Sequence, residues 1–267
     1  MASFRSNKSE RDQRSSDSSC PAAWALAVFV GLAMLQDSPV VAQISPATLP
    51  DLKLSTSSTV FDLAVQDDGK LIISGDFVFV NDVPRTNIAR LNRNGTVDLT
   101  WHPAINGQVY AIVPSESGIY LGGLFEVLDD TNRFGLVRVS AFDGATDKNW
   151  GPRGRDFGIR TIAVSGSDVY VAGVFTSLDG LPRGNIAKLS ATGTGAVDLN
   201  WNPNANAPVG KIVVKSNDVF ASGFSRALEV KAAGISPNFR PAARARPIRF
   251  GMRSWSLIAR IRPPVAR

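Results

Sequence analysis

Residues 74–103 read SGDFVFVNDVPRTNIARLNRNGTVDLTWHP, and the same order returns as LGGLFEVLDDTNRFGLVRVSAFDGATDKNWGP at 121–152 and AGVFTSLDGLPRGNIAKLSATGTGAVDLNWNP at 172–203. The copies share a glycine (Gly75, Gly123, Gly173), a phenylalanine two residues on (Phe77, Phe125, Phe175) and an arginine ten residues on (Arg85, Arg133, Arg183). Each copy ends on an aspartate, a tryptophan three residues later and a proline: Asp98, Trp101, Pro103; Asp147, Trp150, Pro152; Asp198, Trp201, Pro203. Gly223 opens a fourth copy, and the glycines are spaced by 48, 50 and 50 residues. A period near fifty built from short apolar runs predicts stacked four-stranded antiparallel units.

The first unit shows how the strands divide. Val60 to Val65 (VFDLAV) is a β-rich run, and Asp68-Gly69 is a hairpin turn because glycine accepts positive φ without penalty. Lys70 to Ser74 follows, and the polar segment NDVPRTN then leads into Ile88-Ala89-Arg90-Leu91. Asn94-Gly95 turns the chain again, and a last short strand ends at Trp101, where Pro103 stops the pairing. Three turns and four strands within fifty residues leave no room for an ordinary helix. The second unit repeats the order through Val109 to Val113, Ile119 to Gly123, Leu136-Val137-Arg138 and Asp143-Gly144. The third does so through Ile159 to Val164, Val169 to Gly173 and Ile186-Ala187-Lys188.

The repeated residues have mechanical readings. Trp101, Trp150 and Trp201 fill the wedges between neighbouring units. Asp98, Asp147 and Asp198 bond the backbone of the turn before them. Arg85, Arg133 and Arg183 hold the loop by donating to carbonyls of an adjacent unit, a fork that lysine cannot copy. The sharper alternative is a ring of arginines forming an anion site on one face. A feature copied into every repeat more often builds the repeat.

These three stretches resemble the delta-60 repeat family of bacterial β-propeller proteins, over roughly Asp51 to Gly223. Kelch repeats have a similar length, but the double glycine Gly122-Gly123 occurs in one copy only. The resemblance implies a propeller of a secreted or surface protein, often one module of something larger. It brings no shared catalytic residues.

The N-terminus speaks to compartment. Arg5, Lys8, Arg11 and Arg14 precede an apolar run of 14 residues, Ala22 to Leu35, too short for a bilayer-spanning helix and suited to a secretory signal. Val40-Val41-Ala42 offers small residues for cleavage, so a signal peptide is expected over 1–42 and a secreted, periplasmic or surface-held product from Gln43. An uncleaved anchor is the alternative. Cleavage removes Cys20, the only cysteine, leaving neither disulfides nor thiol chemistry and no membrane span.

The units are assigned to 43–107, 108–154, 155–206 and a partial 207–226, about three and a half in all. Asp51-Leu52-Lys53-Leu54 aligns with Asp98-Leu99-Thr100-Trp101, which puts Leu54 at a tryptophan position. Propellers run from about four to eight blades, so an incomplete ring is expected. Beyond Gly223 no arginine, IAR or tryptophan-proline element continues the fifty-residue register.

Residues 227–267 change composition. Eight arginines and Lys231 against Glu229 give this segment a net charge of +8, while 1–42 is neutral, so 43–226 carries −2 of the chain's +6. Three readings stand: a shifted or truncated reading frame, a genuine basic arm, or divergence. A basic arm would suit nucleic acid or anionic lipid. On an exported protein no nucleic acid partner is expected.

No catalytic constellation emerges. His102 is the only histidine, and Gly151 and Asn202 replace it in the other copies. A serine nucleophile lacks a base, and metal-ligand clusters are missing from the pattern. Asp67-Asp68 and Asp129-Asp130 read as turn aspartates rather than calcium ligands. No cofactor or metal is expected. The function expected is therefore non-catalytic: an exported binding or scaffolding module for a protein or carbohydrate ligand. A propeller-type enzyme acting on polysaccharide, or a fragment without independent activity, are the alternatives. An enzyme should show charged or aromatic residues that break the repeat at one end of the units, and the departures at Asp76, Leu124 and Val174 are scattered and mild.

Overall fold

Runs of alternating apolar residues punctuated by glycine turns fold as strands, and every regular element described is one. The computed structural model describes residues 52–55, 58–129, 133–153, 157–216, 218–223 and 257–261. All lie within Ala42–Arg267, one of two compact units of the chain. The signal assigned to 1–42 lies outside the described residues.

Four three-stranded antiparallel sheets follow one another. The first joins Val60–Val65, Leu71–Gly75 and Ile88–Leu91; the second joins Ile105–Ser115, Gly118–Val127 and Phe134–Val139. The third joins Phe157–Ser165, Asp168–Phe175 and Ile186–Ser190, and the fourth Val209–Lys215, Asp218–Gly223 and Leu257–Ile261. The second strand is central in each. Contacts between successive sheets run chiefly through their first strands. The third strands take little part in these contacts, which leaves a wedge between sheets.

The tryptophans fill those wedges, as their spacing predicts. Trp101, Trp150 and Trp201 are almost wholly buried, each in an apolar cluster built from two neighbouring sheets. Trp101 and Trp150 also donate their indole N–H to the carbonyls of Ser140 and Ser190, at 3.0 and 2.9 Å, at the end of the third strand of the next sheet. Tyr120 and Tyr170 meet Trp150 and Trp201 edge-on, with centroids 4.8 and 5.4 Å apart.

The periodic glycines answer a steric demand. Each first strand carries a β-bulge beside its glycine, and the carbonyl two residues before the bulge (Thr59, Gln108, Gly158, Pro208) lies over that glycine. A Cβ on Gly75, Gly123, Gly173 or Gly223 would lie 2.2, 2.0, 2.0 or 2.4 Å from a backbone oxygen. No other residue fits there.

Two expectations are corrected here. The predicted fourth strand is reduced to one bridging residue (Leu91 with Val97, Val139 with Thr146, Leu189 with Val197), because the aspartate that follows starts a turn. The polar segment NDVPRTN is no plain loop. Phe79–Val80 and Val83–Pro84 make a small ribbon around Asn81 and Asp82, both at positive φ, and Ser177–Leu178 with Leu181–Pro182 make its counterpart.

Part of residues 227–267, the basic segment in which the sequence shows no continuing register, joins the fourth sheet. Leu257–Ile261 (LIARI) pairs with the central strand of the fourth sheet, Ser222 opposite Ile258 and Val219 opposite Ile261. The first sheet has the same register, with Ser74 opposite Ile88 and Leu71 opposite Leu91. The IAR element is therefore present in the fourth unit, 35 residues after Gly223 instead of 13. The rest of the tail, Trp255 included, lies outside the described residues.

Candidate functional site

Most of the repeated polar residues are consumed by the fold. Asp98, Asp147 and Asp198 accept from the backbone N–H two residues later, at 3.0, 2.9 and 2.8 Å, so they start the following turn rather than bonding the preceding one. Their other oxygens meet the third-strand cation: Asp98 meets Arg90 at 2.9 Å, Asp147 meets Arg138 at 2.5 Å and Asp198 meets Lys188 at 2.7 Å. Burial alone would raise the Asp98 carboxyl. Hydrogen bonds from Lys70 and Thr100 and the Arg90 charge outweigh it and hold the carboxyl well below the ordinary range.

Arg85, Arg133 and Arg183 do donate to carbonyls, but to those of their own repeat. Arg85 reaches Asp98 O at 3.1 Å and Arg183 reaches Asp198 O at 2.9 Å. Arg133 takes Asp147 O at 2.5 Å, Lys148 O at 2.6 Å and Trp150 O. The turn that carries the tryptophan curls around the guanidinium, so the nearest carbonyls are local ones. With Arg133 and Arg183 buried in these cages, they form no open anion ring. The arginine bonds between sheets come instead from the IAR position. Arg90 reaches the carbonyls of Ala141 and Phe142, and Arg138 that of Ala191. Both guanidiniums also lie over a tryptophan ring, 5.3 and 5.4 Å from the centroid.

The turn aspartate Asp68 accepts from Lys70 N at 3.0 Å, as its position beside Gly69 predicts. His102 is exposed and bonds through its backbone to Asp143 O. Among the described residues no group of three or more His, Cys, Asp or Glu is disposed to hold a metal ion.

A row at the bulges differs in chemistry from unit to unit. Phe61, Tyr110, Arg160 and Gly210 are the extra residues at the bulges of the four first strands, at one shared register. Phe61 and Tyr110 are half-buried and touch edge-on with centroids 5.3 Å apart, while Arg160 is exposed. The Tyr110 hydroxyl hydrogen-bonds the Gln108 side chain. Beside the row, Asp62 accepts from Ile112 N at 2.8 Å and Thr161 from Ile212 N at 3.3 Å, so these two link sheets. Aromatic, aromatic, cation, glycine is a break in the repeat at one register. The row stands 14, 13, 13 and 13 residues before the four glycines, because the first hairpin is one residue longer than the others.

A family model described as a β-propeller domain of unknown function (DUF5122) matches residues 66–100. This supports membership of a β-propeller repeat family. Two solved structures are similar at 15% identity, both of computationally designed proteins. Ika4 is matched over 70% of this chain and 98% of its own at a TM-score of 0.45. Ika8 is matched over 68% and 70% at 0.31. No curated protein gives a significant match.

Proposed function

We propose that this chain is an exported, non-catalytic propeller module of the delta-60 type that binds a protein or carbohydrate ligand through the row Phe61, Tyr110 and Arg160. The observation that carries the reading is this row: three large side chains of different chemistry at one shared bulge register, where the repeat fixes no residue type. Tyrosine and arginine are the residues on which binding surfaces most often depend, since each offers contact area and a directional polar group. Export is supported by the basic lead and apolar run before Gln43.

The same row gives some support to a second reading, a propeller-type enzyme on polysaccharide. Against it, the nearest carboxylate, Asp62, is committed to Ile112 N and the Tyr110 hydroxyl to Gln108. A glycan array, with intact bacterial surfaces alongside, tests both. The chain is expected to bind one of these, and Phe61→Ala with Tyr110→Ala to lose at least tenfold in affinity with circular dichroism unchanged. Unaltered binding by that variant overturns the binding row. Shortening of the bound glycan would favour the enzyme.

A further inference from the structure

The four sheets leave two faces uncovered, and these are the two halves of one interface. Leu63, Ile112, Ile162 and Ile212 occupy the same register, each the third-last or equivalent inward position opposite Ile73, Leu121, Val171 and Ala221. Ile112, Ile162 and Ile212 are 5%, 7% and 2% exposed; Leu63 is 60% exposed, and Val65 beside it is 46% exposed. The residues that help cover the three isoleucines belong to the preceding sheet. Ala64 packs in the cluster of Ile112, Val113 in that of Ile162, and Ala163 in that of Ile212. Their counterpart in the fourth sheet, Val213, is 53% exposed. Strand contacts join each sheet to the next, and none of comparable extent joins Val60–Val65 to Val209–Lys215.

We infer that the occupant is a second copy of this chain, docked head to tail. The Val213 face of each copy covers the Leu63 face of the other, closing a two-fold ring of eight sheets. The chain already makes this interface three times, so both surfaces have the required shape. Charge agrees as well. Lys211 and Lys215 are exposed on the first strand of the fourth sheet, and Asp67 and Asp68 are exposed in the turn just after Val65. Stacking places that turn at the same end as Lys215. A contact between different faces must close or propagate, and eight units fall within the range of about four to eight blades at which propellers close.

Sedimentation velocity tests this, with the protomer mass (28.5 kDa for the uncleaved chain) taken under denaturing conditions from the same preparation. A species of about twice that mass is expected. Leu63→Asp and Val213→Asp should each yield monomers, because either breaks both contacts. Mixing the two variants should restore a dimer weaker than the original, since one intact Leu63 face then meets one intact Val213 face. Leu128→Asp, at a leucine 60% exposed elsewhere, should leave the dimer intact. Should either aspartate variant misfold, Lys215→Glu provides a milder break, with an expected loss of at least tenfold in association. A monomer at all concentrations overturns the inference. A ladder of growing oligomers overturns the closed pair.

Discussion

The first and third sheets are built from nearly the same residues, yet one face of each has a different fate. Ile162 of the third sheet lies beneath the second sheet, with Trp150 in the adjoining wedge. Leu63, at the same register of the first sheet, is exposed, and Leu54 stands in the tryptophan's place. Leu54 bridges to Val80 and packs on the first sheet's own small cluster, but it has no indole to reach a carbonyl. Burial thus belongs to the pair of sheets and not to the single repeat. A leucine in a perfect strand pattern gains little until a neighbour removes its water.

The largest test of this contrast is Trp150→Ala. It empties a wedge, and a loss of about 3–5 kcal/mol in denaturant titration is expected. A loss under about 1 kcal/mol would remove the wedge from the account of stability. Next comes the matched pair Ile162→Ala and Leu63→Ala, measured at dilutions where the chain is monomeric. Ile162→Ala should cost about 2–5 kcal/mol, and Leu63→Ala within about 0.5 kcal/mol of nothing. Equal losses would show that the first face is covered.

Gly173→Ala probes the bulge. Its Cβ would meet Gly158 O at 2.0 Å, and the backbone must shift, for an expected cost of about 1–3 kcal/mol. The tryptophan donors sharpen the comparison further. Trp150 Nε1 bonds Ser190 O, whereas Trp201 Nε1 is buried with no partner among the described residues. Trp150→Phe should therefore cost about 1 kcal/mol more than Trp201→Phe.

The smallest effect is in acid. Because the Asp98 carboxyl is held below its ordinary value of about 3.9, folding favours its ionised form. That contribution is full above the unfolded value and is lost as pH falls through the lower folded one. The stability gap between the protein and Asp98→Asn should be widest near neutrality and shrink below about pH 4. A gap independent of pH would assign Asp98 a purely steric role.

Much of this was legible in the sequence. The glycine, arginine and tryptophan spacings gave strand order, turns and wedges, because each is a local or once-per-unit demand repeated at a fixed interval. The IAR element of the fourth unit escaped because a register count cannot follow a longer connection, and only pairing to Val219 through Gly223 reveals it. The arginine roles were exchanged for a similar reason. Composition shows that Arg85 and Arg90 can donate, but which carbonyl each meets depends on how a turn curls in space.

By itself, then, the sequence determined the all-β character, the repeat and the identity of the residues that build it. Those follow from backbone sterics, hydrophobic periodicity and side-chain size, which act within a few residues. The tertiary structure alone decided which arginine bridges sheets, that Phe61, Tyr110 and Arg160 share a register, and that Leu63 and Val213 stand uncovered. These depend on where each first strand bulges and on sheets meeting across about fifty residues of chain, distances over which local pattern carries no information.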